Sequence, residues 1–109
     1  MLAGLRSVTV YVTLVLVAIK SFRHKGLERL FAAGIRRGIQ AQHGDRLRLI
    51  LGALNAATSP LDMNLPGLGL HELQGPRRGT WAVRVSGNWR VTFEFLGKDA
   101  ERVGYEDYH

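Results

Sequence analysis

The chain has 109 residues and no cysteine, and its hydrophobic fraction of 46% is ordinary for a globular protein. This length predicts one domain whose core needs no disulfides, and the lack of cysteine excludes thiolate catalysis and thiolate zinc sites. Fifteen Lys and Arg residues against nine Asp and Glu residues give a net charge of +6, and all but Lys20, Lys25 and Lys98 of those fifteen are arginine. Because a guanidinium group matches phosphate bidentately, this bias indicates phosphate, nucleic acid or an acidic protein as a partner.

The first nineteen residues combine a short basic start with an apolar run over residues 8–19. This pattern imitates a secretion signal, but no small-residue cleavage site follows it, and the run is too short to span a bilayer. Its β-branched residues favour a strand that joins the sheet. A segment appended to the domain and a secretion signal are the alternatives.

Two helices are predicted after this run. Residues 25–31 place Leu27, Leu30 and Phe31 on one helical face, and residues 42–57 repeat apolar side chains at helical spacing until Ser59-Pro60 stops the pattern. The loop that follows is expected to lie over the core through Met63, Leu65 and Leu68. His24 and His43 are expected at the surface.

The stretch TWAVRVSGNWRVTFEF, residues 80–95, predicts a β-hairpin because apolar and polar residues alternate with a period of two. A three-residue loop over 86–88 keeps the apolar side chains of both strands on one face. The pairs expected from this register are Val85 with Trp89, Val83 with Val91, Trp81 with Phe93, and Arg84 with Arg90.

The facing arginines have two explanations. Like charges directly opposite each other across a strand pair are unfavourable. The arrangement is reasonable if an anion binds between Arg84 and Arg90, since arginine binds phosphate with two hydrogen bonds. The alternative is that Glu94 or Glu106 neutralises the pair and nothing binds there.

A short strand over 70–73 and a basic turn over 74–79 precede the hairpin, and a turn over 97–99 leads to a last strand over 102–106. In that strand Val103 is expected opposite Phe93, and Tyr105 opposite Val91. The order β-α-α-β-β-β-β predicts an α+β fold with two N-terminal helices packed on one face of a mainly antiparallel sheet. The other face is expected to be open, and it carries Arg84, Arg90, Thr92 and Glu106.

Residues suited to cleaving RNA without a metal gather around this open face. Attack of a ribose 2′-hydroxyl on its own phosphate needs a base, a proton donor and cations on the phosphorane. The candidates are His71, Asp107, Tyr108 and His109 for proton transfer, and Arg77, Arg78, Arg84 and Arg90 for the charge. The alternatives are a surface histidine at position 71 and a frayed C-terminal tail. Metal binding is not expected, because only Asp107 and His109 have a ligand spacing, and it is a weak one.

Four segments resemble the HigB-type toxins, which are plasmid-maintenance killer proteins of the RelE superfamily. They are KSFRHKGLERLF (20–31), MNLPGLGLHELQG (63–75), WAVRVSGNWRVTFEF (81–95) and YEDYH (105–109). Together they cover about residues 17–109 in the order of the family.

The resemblance implies a RelE-like fold and a ribosome-dependent endoribonuclease that cuts mRNA without a cofactor. It also implies neutralisation by a HigA-like helix-turn-helix antitoxin, contact with operator DNA only through that antitoxin, a cytoplasmic location and no membrane contact. Residues 1–16 have no counterpart in short family members. We expect them to be an N-terminal extension, either an extra strand or the product of an upstream start codon, and 17–109 to be the toxin domain.

Residue roles follow from the matching motifs. His71 matches an active-site histidine of the family and Arg90 an active-site arginine. Asp107, Tyr108 and His109 match the catalytic tail.

The chain also departs from the family. Many relatives have a lysine at the position of Gln74 and a basic residue near Ser86, so phosphate contacts there are lost. Arg77, Arg78 and Arg84 are expected to compensate as RNA- and phosphate-binding residues. The alternative function is a non-catalytic module of the same fold that binds RNA or an acidic protein.

Overall fold

Two helices and a four-stranded sheet make up the structure, a computed structural model that describes residues 18–108. The elements are α1 (Lys25–Ala33), α2 (Gly44–Ala56), β1 (His71–Glu72), β2 (Trp81–Ser86), β3 (Trp89–Leu96) and β4 (Asp99–Asp107). The strands are antiparallel and follow the order β1-β2-β3-β4. The predicted α+β fold is confirmed. The proposed extension 1–16 and His109 lie outside the described residues.

The segment before α1 lines the free edge of β4. Ile19 and Phe22 form isolated parallel bridges with Ala100 and Val103. The Lys20 N–H donates to the Ala100 carbonyl at 2.8 Å. Within the described residues, the first β element of the predicted order is therefore this pair of bridges rather than a full strand.

Local capping explains the limits of α1. His24 precedes the helix in an extended conformation, and its Nδ1 accepts a hydrogen bond from the Leu27 N–H at 3.0 Å. Gly34 ends the helix at φ 71°, a left-handed conformation that glycine adopts without strain. Because Gly34 is the first residue suited to this cap, the helix runs two residues beyond the predicted end.

The core lies between the helices and one face of the sheet. The stripe predicted on α2 is confirmed, since Leu47, Ile50, Leu51 and Leu54 are all buried. They pack in one cluster with Val83, Val91 and Phe93, which are fully buried on the sheet.

Two predictions about side-chain exposure are wrong. His43 is not at the surface: it ends a 3₁₀ turn (Ala41–His43) before α2, is 3% exposed, and has Nδ1 2.6 Å from the Tyr105 hydroxyl oxygen. Met63 and Leu68 are buried over the core as expected, but Leu65 is 42% exposed. Sequence periodicity does not extend into turns and loops, so it carries no information on these positions.

The β2–β3 hairpin has the predicted register over most of its length. Trp81 pairs with Phe93, Val83 with Val91, and Arg84 with Arg90. The loop prediction is wrong, because Ser86 rather than Val85 pairs with Trp89 and only residues 87 and 88 form the turn. A bulge between Arg84 and Ser86 takes up the extra residue, so a tight two-residue turn and a one-sided apolar face occur together.

The β3–β4 hairpin contains a second bulge. Tyr105 pairs with Val91 as predicted, but the expected pairing of Val103 with Phe93 is wrong, because the register shifts between Thr92 and Glu94. Arg102 lies in this irregular stretch at φ 51° and donates its backbone N–H to the Ser21 Oγ at 2.9 Å. The turn has two residues, 97 and 98, instead of three.

The His24 cap predicts a pH-dependent stability. Burial lowers the pKa of His24 below its ordinary 6.5, so the folded protein holds this proton less readily than the unfolded chain. The stability that the neutral cap contributes is present above pH 6.5 and is lost as the pH falls through the lowered pKa. Melting curves between about pH 7.5 and about pH 5 should show this loss. Asparagine also caps helices but does not titrate in this range. His24→Asn should therefore reduce the pH-dependent loss of stability by up to about 1 kcal/mol.

Exposed Leu49 on α2 provides the control for this measurement. Leu49→Ala changes no titratable group and no helix cap, so it should keep the wild-type pH dependence. An unchanged pH dependence in His24→Asn would contradict the cap assignment.

The edge segment predicts where the chain can be shortened. A chain that begins at Val17 keeps buried Ile19 and both bridges to β4, so we expect it to melt within a few degrees of the full chain. A chain that begins at Arg23 loses Ile19 and Phe22 and should melt clearly lower. Calorimetry on the three chains tests this, and an insoluble chain from Val17 beside a soluble full chain would place the domain boundary earlier.

Candidate active site

The sheet face turned away from the helices carries polar residues from all four strands. Directly paired residues point to the same face, so the register places His71, Ala82, Thr92 and Gly104 in one row and Arg84, Arg90 and Glu106 in the next. Some side chains on this open face are more deeply buried than the sequence predicted. Ala82 and Thr92 are each 1% exposed, whereas Arg84 and His71 are exposed.

His71 presents a ring nitrogen that can accept a proton. It is the first residue of β1, and its Nδ1 lies 3.1 Å from the Gly69 carbonyl oxygen. A carbonyl only accepts hydrogen bonds, so Nδ1 carries the proton of the neutral ring. The Nε2 lone pair is then available for proton transfer.

Tyr108 reaches His71 from the opposite edge of the sheet. Its ring centroid is 6.5 Å from that of His71, and the planes are inclined by 47°. The Tyr108 N–H donates to the Asn88 carbonyl at 2.7 Å, which extends the β3–β4 pairing one residue beyond the strand. Tyr108 therefore follows the alternation from Glu106 onto the open face.

Asp107 lies elsewhere. It pairs with Trp89, and alternation turns its side chain to the face opposite that of Tyr108. Of the predicted tail residues, the structure thus brings Tyr108 beside His71 but leaves Asp107 on the other face. His109 lies outside the described residues.

The two central arginines face each other as predicted but differ in their contacts. Arg90 donates through Nη1 to the carbonyls of Gly87 at 2.7 Å and Trp89 at 3.1 Å, which holds its guanidinium against the turn of its own hairpin. Within residues 18–108, the Arg84 guanidinium makes no hydrogen bond or ion pair and is exposed. Arg78, in the turn before β2, is exposed as well.

The carboxylates do not neutralise this pair. Glu106 instead forms a two-hydrogen-bond ion pair with Arg77, with Nη2 at 2.8 Å from Oε1 and Nη1 at 3.1 Å from Oε2. Glu94 accepts from the Thr80 hydroxyl at 3.3 Å. The predicted neutralisation of Arg84 and Arg90 by either glutamate is therefore not seen among the described residues.

The Arg77–Glu106 pair affects the charge of both groups. The hydrogen bonds from Arg77 hold the pKa of Glu106 below its ordinary value, and Glu106 raises the pKa of Arg77. Glu106 is therefore ionised at neutral pH. Both side chains are about one-third exposed, so solvent screening limits the stabilisation from this pair to at most about 1 kcal/mol. The sequence pointed to Glu106 as a residue on the face of Arg90 but gave no sign of Arg77 as its partner.

Sequence reasoning also missed a cluster beneath the tail. Tyr105 packs against Trp89 with ring centroids 4.7 Å apart, and its hydroxyl meets both His43 Nδ1 and the Gln40 N–H. His24 lies against the same ring at 5.3 Å. The cluster anchors the strand ends from which Asp107 and Tyr108 continue. In the sequence, this cluster was signalled by Tyr105, a residue with a polar hydroxyl at an inward position of β4.

Among residues 18–108, no three histidine or carboxylate side chains are grouped so as to hold a metal ion. None of the helices described there combines the length and the apolar character that crossing a membrane requires.

Comparisons with known proteins identify the family of this chain. The family of RelE-like toxins of type II toxin–antitoxin system HigB matches residues 20–109. Endoribonuclease HigB from Proteus vulgaris is 46% identical over 91 residues, which cover 84% of this chain and 99% of that protein. The chain therefore belongs to the HigB-like family of RelE-like toxins of type II toxin–antitoxin systems, proteins that act together with an antitoxin.

Proposed function

We propose that this toxin is an endoribonuclease that cuts mRNA on the ribosome by metal-independent attack of a ribose 2′-hydroxyl. The observation that carries the proposal is the proximity of His71 and Tyr108, whose ring centroids are 6.5 Å apart on the open face. The same face also holds Arg77, Arg84 and Arg90. The similar Proteus vulgaris protein is named an endoribonuclease, which supports the same activity here.

In the proposed reaction His71 is the base. Its Nε2 takes the proton of the 2′-hydroxyl as the 2′-oxygen forms a bond to phosphorus and the bond from phosphorus to the 5′-oxygen breaks. The products are a 2′,3′-cyclic phosphate and a free 5′-hydroxyl. The hydrogen bond to the Gly69 carbonyl keeps His71 in the tautomer that this step needs.

The arginines stabilise the charge that develops on the phosphorane. Arg90 is already oriented by two carbonyls and still has N–H groups to offer. Arg84 opposite it, together with Arg77 and Arg78 from the preceding turn, supplies further phosphate contacts. These contacts compensate for the uncharged residues Gln74 and Ser86.

The tail supplies the proton to the leaving 5′-oxygen. Tyr108 and His109 are the two candidates for this donor, and Tyr108 is also placed to stack on a base. Asp107 would act from the other side of the strand, through its neighbours rather than on the reacting atoms.

The partners follow from the family. We propose that the antitoxin is a HigA-like helix-turn-helix protein, that operator DNA is contacted only through it, and that the toxin acts on ribosomes and mRNA in the cytoplasm. The second candidate function is binding of RNA or an acidic protein without cleavage. The Arg84 guanidinium, exposed and without a partner among residues 18–108, would serve that function equally well.

Truncation of the tail separates catalysis from binding. A chain ending at Asp107 should lose at least about 100-fold in cleavage of ribosome-bound mRNA, because a general acid contributes 10²–10⁴-fold. Folding and antitoxin binding should stay nearly intact, since Tyr108 is exposed at the end of the sheet. Growth inhibition on induction and cleavage of ribosome-bound mRNA are measured in parallel.

Exposed Leu96 offers a control away from the tail, and Leu96→Ala should retain full toxicity. Full toxicity of the chain ending at Asp107 would exclude a catalytic tail and leave His71 with the arginines as the only candidates.

The facing arginines predict a change in the salt dependence of RNA binding. Arg84→Ala and Arg90→Ala should each weaken binding to single-stranded RNA and lower the slope of log K against log salt by about 0.7, because each removes one phosphate contact. Arg29→Ala is the control: it removes the same charge from an exposed position on α1, away from the open face. If all three variants bind alike, the facing arginines are not a phosphate site.

A further inference from the structure

Arg77 approaches the candidate site from outside the sheet. It ends a 3₁₀ turn (Gly75–Arg77) between β1 and β2, whereas its partner Glu106 lies on β4 at the other end of the strand order. The ion pair therefore bridges the open face from one side to the other. An arginine in a surface turn samples many rotamers, and two hydrogen bonds to one carboxylate restrict it to one direction.

Among the described residues, Arg77 keeps donors free while it is paired. A guanidinium has five N–H groups, and the two hydrogen bonds to Glu106 leave three of them. The side chain is 36% exposed, so a ligand in solution can reach it. Tyr108 follows Glu106 by two residues on the same face, so the pairing with Glu106 brings the Arg77 charge near Tyr108, whose ring centroid lies 6.5 Å from that of His71.

Glu106 itself is unsuited to proton transfer, because the two hydrogen bonds from Arg77 keep it ionised and make it a weak base. A carboxylate on a basic, RNA-binding face also repels phosphate, unless it places a cation where phosphate binds. We infer that Glu106 is a positioning residue that holds Arg77 beside Tyr108, where the remaining N–H groups of Arg77 bind a phosphate of the RNA substrate. The inference rests on the proposed ribonuclease function and adds a residue to it.

Two effects of removing the Glu106 charge have opposite signs. Loss of a negative charge from a basic face strengthens RNA binding by simple electrostatics. Loss of the group that orients Arg77 weakens it. Glu106→Gln keeps the size of the side chain, so the direction of the change shows which effect dominates.

Glu94 provides the matched control. It lies on the same sheet, is half-buried, and bonds to the Thr80 hydroxyl rather than to an arginine. Glu94→Gln therefore makes the same chemical change and removes the same charge from the surroundings of Arg77, but it breaks no hydrogen bond to that arginine. It should leave KM unchanged or slightly lower.

The experiment measures KM and kcat for cleavage of ribosome-bound mRNA, and binding of a single-stranded RNA oligonucleotide by fluorescence anisotropy. Glu106→Gln should raise KM and the RNA dissociation constant about two- to five-fold, as expected for a partly exposed ion pair, with kcat and melting temperature nearly unchanged. In an Arg77→Ala background the same substitution should no longer weaken binding. A purely structural role for Glu106 predicts a lower melting temperature in both backgrounds instead.

Two results would overturn the inference: an equal or lower KM in Glu106→Gln, or a further loss of binding when it is added to Arg77→Ala. The anisotropy measurement keeps this test separate from the proposed function. A wild-type protein that binds RNA without cutting it refutes the ribonuclease, and the same variants still decide the role of Glu106 on binding. A wild-type protein that does not bind RNA would refute both.

Discussion

The structure depends on β3, which is hydrogen-bonded to a strand on each side. Its alternation is therefore imposed on β2 and β4 as well. Val91 and Phe93 point toward the helices and are fully buried, while Arg90 and Thr92 point to the other face. One run of residues with a period of two thus sets both the sheet side of the core and the floor of the candidate site.

The two bulges preserve this division. Each hairpin contains one residue more than a regular ladder with a two-residue turn allows, and a one-residue slip would send every later side chain to the wrong face. The irregular stretches near Val85 and Arg102 take up these residues. At Arg102 the backbone N–H is bonded to Ser21, so the edge segment before α1 helps to hold the second bulge in place.

Among the described residues, the open face leaves two facing positive charges without a carboxylate partner. Arg84 and Arg90 face each other although like charges repel, and the available carboxylate of Glu106 is paired with Arg77 instead. Glu106 lies opposite Arg90 on the next strand, yet its hydrogen bonds go to Arg77. The positive charge that remains is suited to a phosphate backbone, in agreement with membership of a toxin family whose Proteus vulgaris relative is named an endoribonuclease.

The sequence by itself determined the elements with a regular period and, through its motifs, the family. The stripe on α2, the alternation in β2 and β3, and the pairing of Arg84 with Arg90 all follow from spacing within a few residues. Contacts between distant parts of the chain were decided only by the tertiary structure. His43 is buried against Tyr105, and Arg77 pairs with Glu106. Such contacts depend on how turns and loops fold over the sheet, and a turn has no periodic pattern from which the direction of its side chains can be predicted.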